Sequence, residues 1–360
     1  DITAKRDDMQ IRKVVCLEDV FLPDAEVTKD FKKVLEDDSI DTIIEAMGGL
    51  HPAYEFVRAA IEAGKNVVTS NKALVATYYD DLIPLAKEKG VQFRCTAAVG
   101  GGIGWLSELQ RARRAQNILR VGGIMNGTCN YILDNMTRLG LGYDEALKQA
   151  QALGYAEANP SADVDGIDAC RKICILASLA FGKHVYPDSV YTEGIRKITL
   201  ADVEYARIWG GVIKLIARAK LLEDNRVAVM VSPAFVQNHS QLASVDDVFN
   251  AILVRGDAIG DVVFYGKGAG SMPTASAVVA DVIDCARHMT GKKFFGWQDS
   301  EDGYVASYLD TKSRLYIRMT AEDAAGTLVQ INKAIGEEMM VAFSLWQNKY
   351  VLDFIEISNK

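Results

Sequence analysis

The 360-residue sequence predicts an α/β fold: a parallel sheet wrapped on both sides, then an α+β region, then a small β-α-β-β unit. Three observations carry this. Strand-like and helix-like runs alternate through the first hundred residues. Gly48-Gly49, Ser70-Asn71-Lys72 and Val99–Gly102 fall at the carboxyl ends of strand-like runs, where open parallel sheets bind ligands. From about Trp105 the alternation gives way to a different pattern.

Taken in order, Ile11–Leu17 and Thr42–Met47 are β-type runs. His51–Ala63 has helical spacing through Tyr54, Val57 and Ile61, and Gly64 stands where a C-terminal cap belongs. Asn66–Thr69 reads as a strand, Tyr79–Lys89 as a helix closed by Gly90, and Val91–Cys95 as the next strand. A polar helix runs from Trp105 to about Gln116, followed by strand Ile118–Met125 and helices Asn130–Leu139 and Asp144–Leu153. The loop Gly154–Asp165 leads into a long helix, Gly166–Phe181. Lys214–Leu222 and Arg226–Val236 read as strands, Val245–Arg255 as a helix, and Val262–Tyr265 as a strand running into Gly266–Gly270. Pro273–His288 is a helix with proline in its first turn. After a polar connector, Gly296–Lys312, come strand Arg314–Thr320, helix Gly326–Glu337 and strands Met340–Gln347 and Tyr350–Ile357.

Composition narrows the function. The formal net charge is −8, and no lysine- and arginine-rich cluster suggests a nucleic-acid or membrane surface, so small molecules and other copies of the chain are the expected partners. Six scattered cysteines without CxxC spacing and four histidines spell no zinc site, and free thiols fit a cytoplasmic protein.

The chemically richest stretch is Gly154–Lys172, with Glu157, Asp163, Asp165 and Asp168 beside Arg171 and Lys172. Asp165 is placed to cap the long helix, with Asp168 three residues later as in a capping box. Asp168 and Lys172, four apart, share a helix face that continues through Leu176, so Lys172 is expected to point inward. Reducing a carbonyl requires a proton at the oxygen while hydride reaches the carbon, and a sequestered lysine can supply it. Glu157 and Asp168 could grip a substrate's ammonium and hydroxyl groups. The same spacing also describes a capped helix with an exposed Asp–Lys pair.

Three motifs, Ser70–Ala76, Ile124–Leu133 and Gly154–Lys172, stand in the order and spacing of the homoserine dehydrogenase family, and with Gly266–Ala280 the resemblance spans Ile11 to His288. It implies a Rossmann-type NAD(P)-binding domain over 1–103 plus 268–298, a substrate and dimerisation domain over 104–267, and interconversion of L-homoserine and L-aspartate 4-semialdehyde in threonine, methionine and isoleucine biosynthesis. By the same resemblance Lys172 is the catalytic proton donor, and Lys72 stands beside nicotinamide and substrate. Substrate ligands would be Glu157, Asp168, Asp163, Gly127 and Thr128; cofactor contacts would be Met47, Gly48, Ser70, Lys72, Gly154, Glu157, Gly268 and Gly270. The resemblance also implies a homodimer or homotetramer, and a Na+ or K+ ion on the carbonyls of Thr96, Val99, Gly101 and Ile103. The family usually has an acidic residue at the position of Thr96 and proline at that of Gly104, so the charged ligand for a hard cation is lost here.

Two further departures stand out. No G-x-G-x-x-G precedes Ile11, so the first strand and its glycine-rich loop are expected to be missing and the pyrophosphate cradle is unassigned. Leu17-Glu18-Asp19 closes a strand with acids, which lean toward ribose hydroxyls and NAD over a 2′-phosphate. The segment 312–360 resembles a partial ACT regulatory domain, with Glu322–Leu328 as its turn before the helix and Ala325 where proline is usual; threonine is the effector this implies. Two alternatives stay open: a non-catalytic amino-acid sensor, and a different nicotinamide-dependent semialdehyde dehydrogenase using Cys129 as nucleophile.

Overall fold

The computed structural model describes residues 3, 6–18, 20–288, 296–311, 313–318, 342–346 and 349–357. The chain forms two compact units, Asp1–Tyr304 and Val305–Lys360.

The first unit begins with parallel strands. β1 (Lys13–Val15) pairs with β2 (Glu26–Thr28), and a short helix α1 (Lys32–Leu35) follows. β3 (Thr42–Glu45), β4 (Asn66–Thr69) and β5 (Phe93–Arg94) form a second parallel sheet. Helix α2 (Ala53–Glu62) connects β3 to β4, and α3 (Lys72–Lys89) connects β4 to β5. Parallel pairing demands such crossovers, and helices on the sheet bury its central strand, so every residue of β4 is buried. α3 starts at Lys72, seven residues before the expected Tyr79, because the Asn71 side chain caps its first turn by accepting from the Leu74 amide at 3.1 Å.

Helix α4 (Trp105–Ala112) leads into the second region. Strand β6 (Ile118–Ile124) is followed by helices α5 (Gly127–Leu139), α6 (Tyr143–Ala152), α7 (Ser161–Val164) and α8 (Ile167–Phe181). Then come β7 (Tyr191–Thr192), helix α9 (Leu200–Trp209) and strands β8 (Gly211–Leu221), β9 (Val227–Gln237), β10 (Phe249–Gly256) and β11 (Gly260–Lys267). The six strands order as β11-β10-β6-β8-β9-β7, antiparallel except for β7 on β9. Helix α8 packs on β6, β8 and β9. It is apolar nearly all round, with Ile173, Ile175, Leu176 and Leu179 almost fully buried, as a helix enclosed by its neighbours must be. Each such side chain contributes about 1.5–3 kcal/mol. Helix α10 (Ser271–Arg287) returns to the first region, where Ala277, Val278 and Cys285 pack with Val68 and Ala97.

Three expectations are corrected. Val245–Arg255 is not a helix: residues 249–256 form β10, paired on both edges with β6 and β11. Asp165 does not cap α8. Gly166 (φ +82°) occupies that position, a Cβ there would meet the Thr192 methyl at 3.0 Å, and the Asp165 carboxylate pairs with Arg196. Asp168, therefore, is not the third residue of a capping box. The expected loop over 154–165 contains α7.

In the second unit β12 (Ser313–Arg318), β13 (Ala342–Trp346) and β14 (Lys349–Ile357) form an antiparallel sheet of order β12-β14-β13. The expected helix Gly326–Glu337 and the turn Glu322–Leu328 lie outside the described residues.

Candidate active site

Two helix starts and one strand end bring together the charged residues that the sequence singles out. Asp168 sits in the first turn of α8, only 5% exposed, and Lys172 one turn on is 7% exposed. The lysine Nζ lies 2.7 Å from Asp168 Oδ2 and donates to the Met125 carbonyl, also at 2.7 Å, at the end of β6. Lys72, at the start of α3, approaches from the first region; its Nζ is 2.8 Å from Asp168 Oδ1. One carboxylate therefore bridges two ammonium groups, one buried and one about a third exposed. The exposed Asp–Lys pair that the spacing also allowed is not what forms.

The electrostatics follow from this arrangement. Burial pushes the Asp168 carboxyl up, but Lys172 and Lys72 together outweigh it and hold the group well below the ordinary carboxylate range. Asp163, on α7, goes the other way: burial raises it more than its hydrogen bond from Asn126 lowers it. Asn126 is a residue that sequence reasoning missed. Its Nδ2 donates to Asp163 Oδ1 (2.7 Å) and Asp168 Oδ2 (2.9 Å), while its Oδ1 accepts from the Cys129 amide and caps α5. An asparagine before a helical run was the available signal.

Of the other candidates, Gly127 opens α5 where a Cβ would meet the Val248 carbonyl at 2.6 Å, and the Thr128 hydroxyl donates to the Tyr155 carbonyl at 2.6 Å. Gly154 (φ +75°) and Glu157 lie on the exposed turn after α6. Among the described residues no ion pair joins Glu157 to Lys72 or Lys172. Cys129 is fully buried and donates to the Asp163 carbonyl, and burial raises its thiol well above the ordinary range, the opposite of what activates a nucleophilic thiol.

The turn after β3 leaves its main chain open to a ligand. Gly48 and Gly49 have φ of +76° and +72°, with open space where a side chain would begin, and Met47 is exposed. Glu45, also unforeseen, fixes this turn by accepting from the Met47 and Gly48 amides and the Thr69 hydroxyl. The Asn71 side chain donates to the Gly49 carbonyl at 2.6 Å, which ties the turn and Ser70 to the start of α3 beside Lys72. Gly268 and Gly270 precede α10; a Cβ on Gly101 would meet the Gly268 carbonyl at 3.0 Å, so this loop rests on the 100–103 turn.

At the turn expected to hold a monovalent cation, no carboxylate stands at position 96. Thr96 gives both its amide (2.8 Å) and its hydroxyl (2.7 Å) to the Asp281 carboxylate, and the Val99 carbonyl accepts from the Trp105 indole at 3.1 Å. Gly101 and Ile103 add only carbonyls. Among the described residues no group of three or more His, Cys, Asp or Glu side chains is arranged to hold a metal, and no helix is long and apolar enough to cross a membrane.

Comparison with known proteins adds the following. The homoserine dehydrogenase family model matches residues 105–283, and the model for the homoserine dehydrogenase NAD-binding domain matches residues 3–96. The homoserine dehydrogenase of Synechocystis sp. is 40% identical over 338 residues, 91% of this chain and 78% of that protein. That of Bacillus subtilis is 37% identical over 323 residues, 89% of this chain and 74% of its own length. Among solved structures, a homoserine dehydrogenase from Thiobacillus denitrificans superposes with a TM-score of 0.87 at 36% identity, covering 93% of this chain and 79% of that one. A hyperthermophilic archaeal homoserine dehydrogenase in complex with NADPH gives 0.63 at 29% identity, covering 72% and 75%.

Proposed function

The chain belongs to the homoserine dehydrogenase family, and on that premise we propose that Lys172 is the proton donor and acceptor at the substrate oxygen, with Lys72 and Asp168 completing the catalytic group. The activity is that of an NAD(P)-dependent oxidoreductase acting on a CH–OH group, interconverting L-homoserine and L-aspartate 4-semialdehyde. When bound, the nicotinamide cofactor supplies or accepts the hydride. Met47, Gly48, Ser70, Gly154, Gly268 and Gly270 would hold it. Glu157, Asp163, Gly127 and Thr128 would line the substrate side.

The observation that carries the assignment is the sharing of Asp168 by two lysines. Lys172 Nζ has two of its three N–H groups committed, to Asp168 and to Met125, so among the described residues one N–H is left for a ligand oxygen. Asp168 stabilises the ammonium form in the reducing direction, and its second oxygen keeps Lys72 at the mouth of the site. Lys72 has the reach to pair with the developing alkoxide or with a substrate carboxylate. Burial of the Asp168–Lys172 pair keeps water from competing for the transferred proton.

The test is Lys172→Ala, assayed for homoserine oxidation with NAD and with NADP, alongside a tryptophan-fluorescence titration with each reduced cofactor. Turnover should fall by about 10²–10⁴-fold with cofactor affinity nearly unchanged. Near-normal turnover would remove Lys172 from its role.

The order β12-β14-β13 supports a partial ACT-like regulatory unit with threonine as effector, and the long antiparallel sheet of the second region supports a homodimer or homotetramer. The likeness to curated homoserine dehydrogenases supports a cytoplasmic enzyme with small-molecule partners.

A further inference from the structure

The carboxylate of Asp168 meets Lys72 only if α3 and α8 keep a fixed relation to each other, and a cluster beyond the C-terminus of α8 touches α3 at Ala76, Tyr79 and Asp80. α8 ends at Gly182 (φ +90°), and the chain turns back through His184 and Tyr186. His184 is 1% exposed, and its Nε2 lies 2.9 Å from the Ala76 carbonyl, one turn along α3 from Lys72. A carbonyl only accepts, so Nε2 carries a proton; burial lowers the ring's pKa, which favours the neutral form. Its Nδ1 is buried without a hydrogen-bond partner among the described residues. The Tyr186 ring stacks on this imidazole with centroids 4.1 Å apart and planes 7° from parallel. Its hydroxyl lies 2.9 Å from Asp80 Oδ2, one further turn along α3, and 2.7 Å from Asp299 Oδ1. Trp297 completes the cluster, stacked on Tyr79 of α3 at 3.6 Å and edge-on to His184.

We infer that His184 and Tyr186 are positioning residues for the reaction: they hold successive turns of α3 from the segment that continues α8, and so set Lys72 against Asp168. Nothing in the proton chemistry at Lys172 requires a neutral imidazole on the Ala76 carbonyl, and a buried polar ring with one unpartnered nitrogen is a costly way to fill a core. What it supplies is direction. An N–H fixed on one carbonyl specifies the axial register of a helix, which apolar packing alone leaves free to slide.

This inference rests on the reading that Lys72 and Asp168 act in catalysis, and the experiment separates the two. Three variants are compared by steady-state kinetics across pH. His184→Phe keeps the stacked ring but loses the N–H; His184→Gln returns an amide N–H of similar reach; Tyr186→Phe removes only the hydroxyl. His184→Phe should lower kcat by about tenfold, since misplacing a group by about 1 Å costs up to 10²-fold. It should also raise the acid limb of the kcat profile by about one unit as Asp168 loses a cation. His184→Gln should recover most of both, and Tyr186→Phe should show a smaller change of the same kind. In a Lys72→Ala background, followed by single-turnover measurements, His184→Phe should cause no further loss. Wild-type kcat and pH profile in both His184→Phe and Tyr186→Phe would overturn the inference, as would undiminished additional loss in the Lys72→Ala background. If His184→Phe does not fold, Tyr186→Phe with and without Lys72→Ala decides by the same criteria. Failure here, with Lys172→Ala still inactive, leaves the catalytic assignment standing; an active Lys172→Ala sinks that assignment instead.

Discussion

Two aspartates of this chain are almost equally buried and electrostatically opposite. Asp168 is 5% exposed and lies far below its ordinary pKa; Asp281 is 3% exposed and is pushed up to about 6. Burial acts on both in the same direction, so the difference comes from their partners. Asp168 faces two ammonium groups at 2.7 and 2.8 Å. Among the described residues Asp281 accepts a neutral amide and a neutral hydroxyl from Thr96, and these together with the nearby Arg94 offset its burial only in part. Hydrogen bonds from neutral donors satisfy a buried carboxylate; cations within contact keep it ionised. The first arrangement suits a group that must hold charge through a reaction, the second a clamp between α10 and the turn at Thr96.

The hardest test of this contrast is Asp168→Asn. It leaves two lysines facing a neutral amide, and kcat should fall by about 10²–10⁴-fold, with a lower melting temperature, since breaking a buried pair costs about 3–5 kcal/mol. Wild-type turnover would erase the distinction. Lys72→Ala comes next. Asp168 keeps Lys172 but loses its second cation, so its pKa should rise and the acid limb of the kcat profile should move up by about one unit or more. A profile that does not move would show that Lys72 contributes nothing to holding the carboxylate.

Asp281→Asn probes the other side. Its folded pKa lies above the unfolded value of 3.8, so the fold binds this proton more tightly than the unfolded chain does. Its contribution is full below about pH 4 and is lost as pH rises through about 6. The asparagine variant should lose that dependence and, at neutral pH, gain about 1–3 kcal/mol of unfolding free energy in a denaturant titration, with turnover within about twofold of the parent. A variant destabilised at pH 7 would show that the charge is wanted there. The smallest effect is expected from Thr96→Val, which removes one of Asp281's two donors and should cost about 1 kcal/mol in chemical denaturation.

The same contrast explains what could be read before the structure. The Asp168–Lys172 pair is local, four residues apart on one helix, and spacing alone put it on one face. Asp281 and Thr96 lie 185 residues apart and meet only because the chain closes α10 back on the first sheet. Asn126, which touches both Asp163 and Asp168, stood inside a recognised motif, but its reach across 37 and 42 residues depends on where β6 ends against α8. The parallel strands and the start of the long helix were legible because glycines and short apolar runs mark them. β10 was not: Val245, Val248, Phe249, Ile252 and Val254 mimic a helical period, and a strand paired on both edges carries a nearly continuous apolar run instead of alternation. Helix α9, with its Thr199–Asp202 capping box, escaped notice although that signal was in the sequence.

The Met125 carbonyl beneath Lys172 has a directional consequence. A tetrahedral nitrogen tied down along two of its N–H bonds can offer only the third, along a fixed vector. On the role proposed for Lys172, an aldehyde accepting that hydrogen has the position of its oxygen set, and the choice of face is left to the groups that hold the rest of the substrate. A main-chain oxygen at the end of a strand thereby fixes the direction in which this ammonium can meet a ligand.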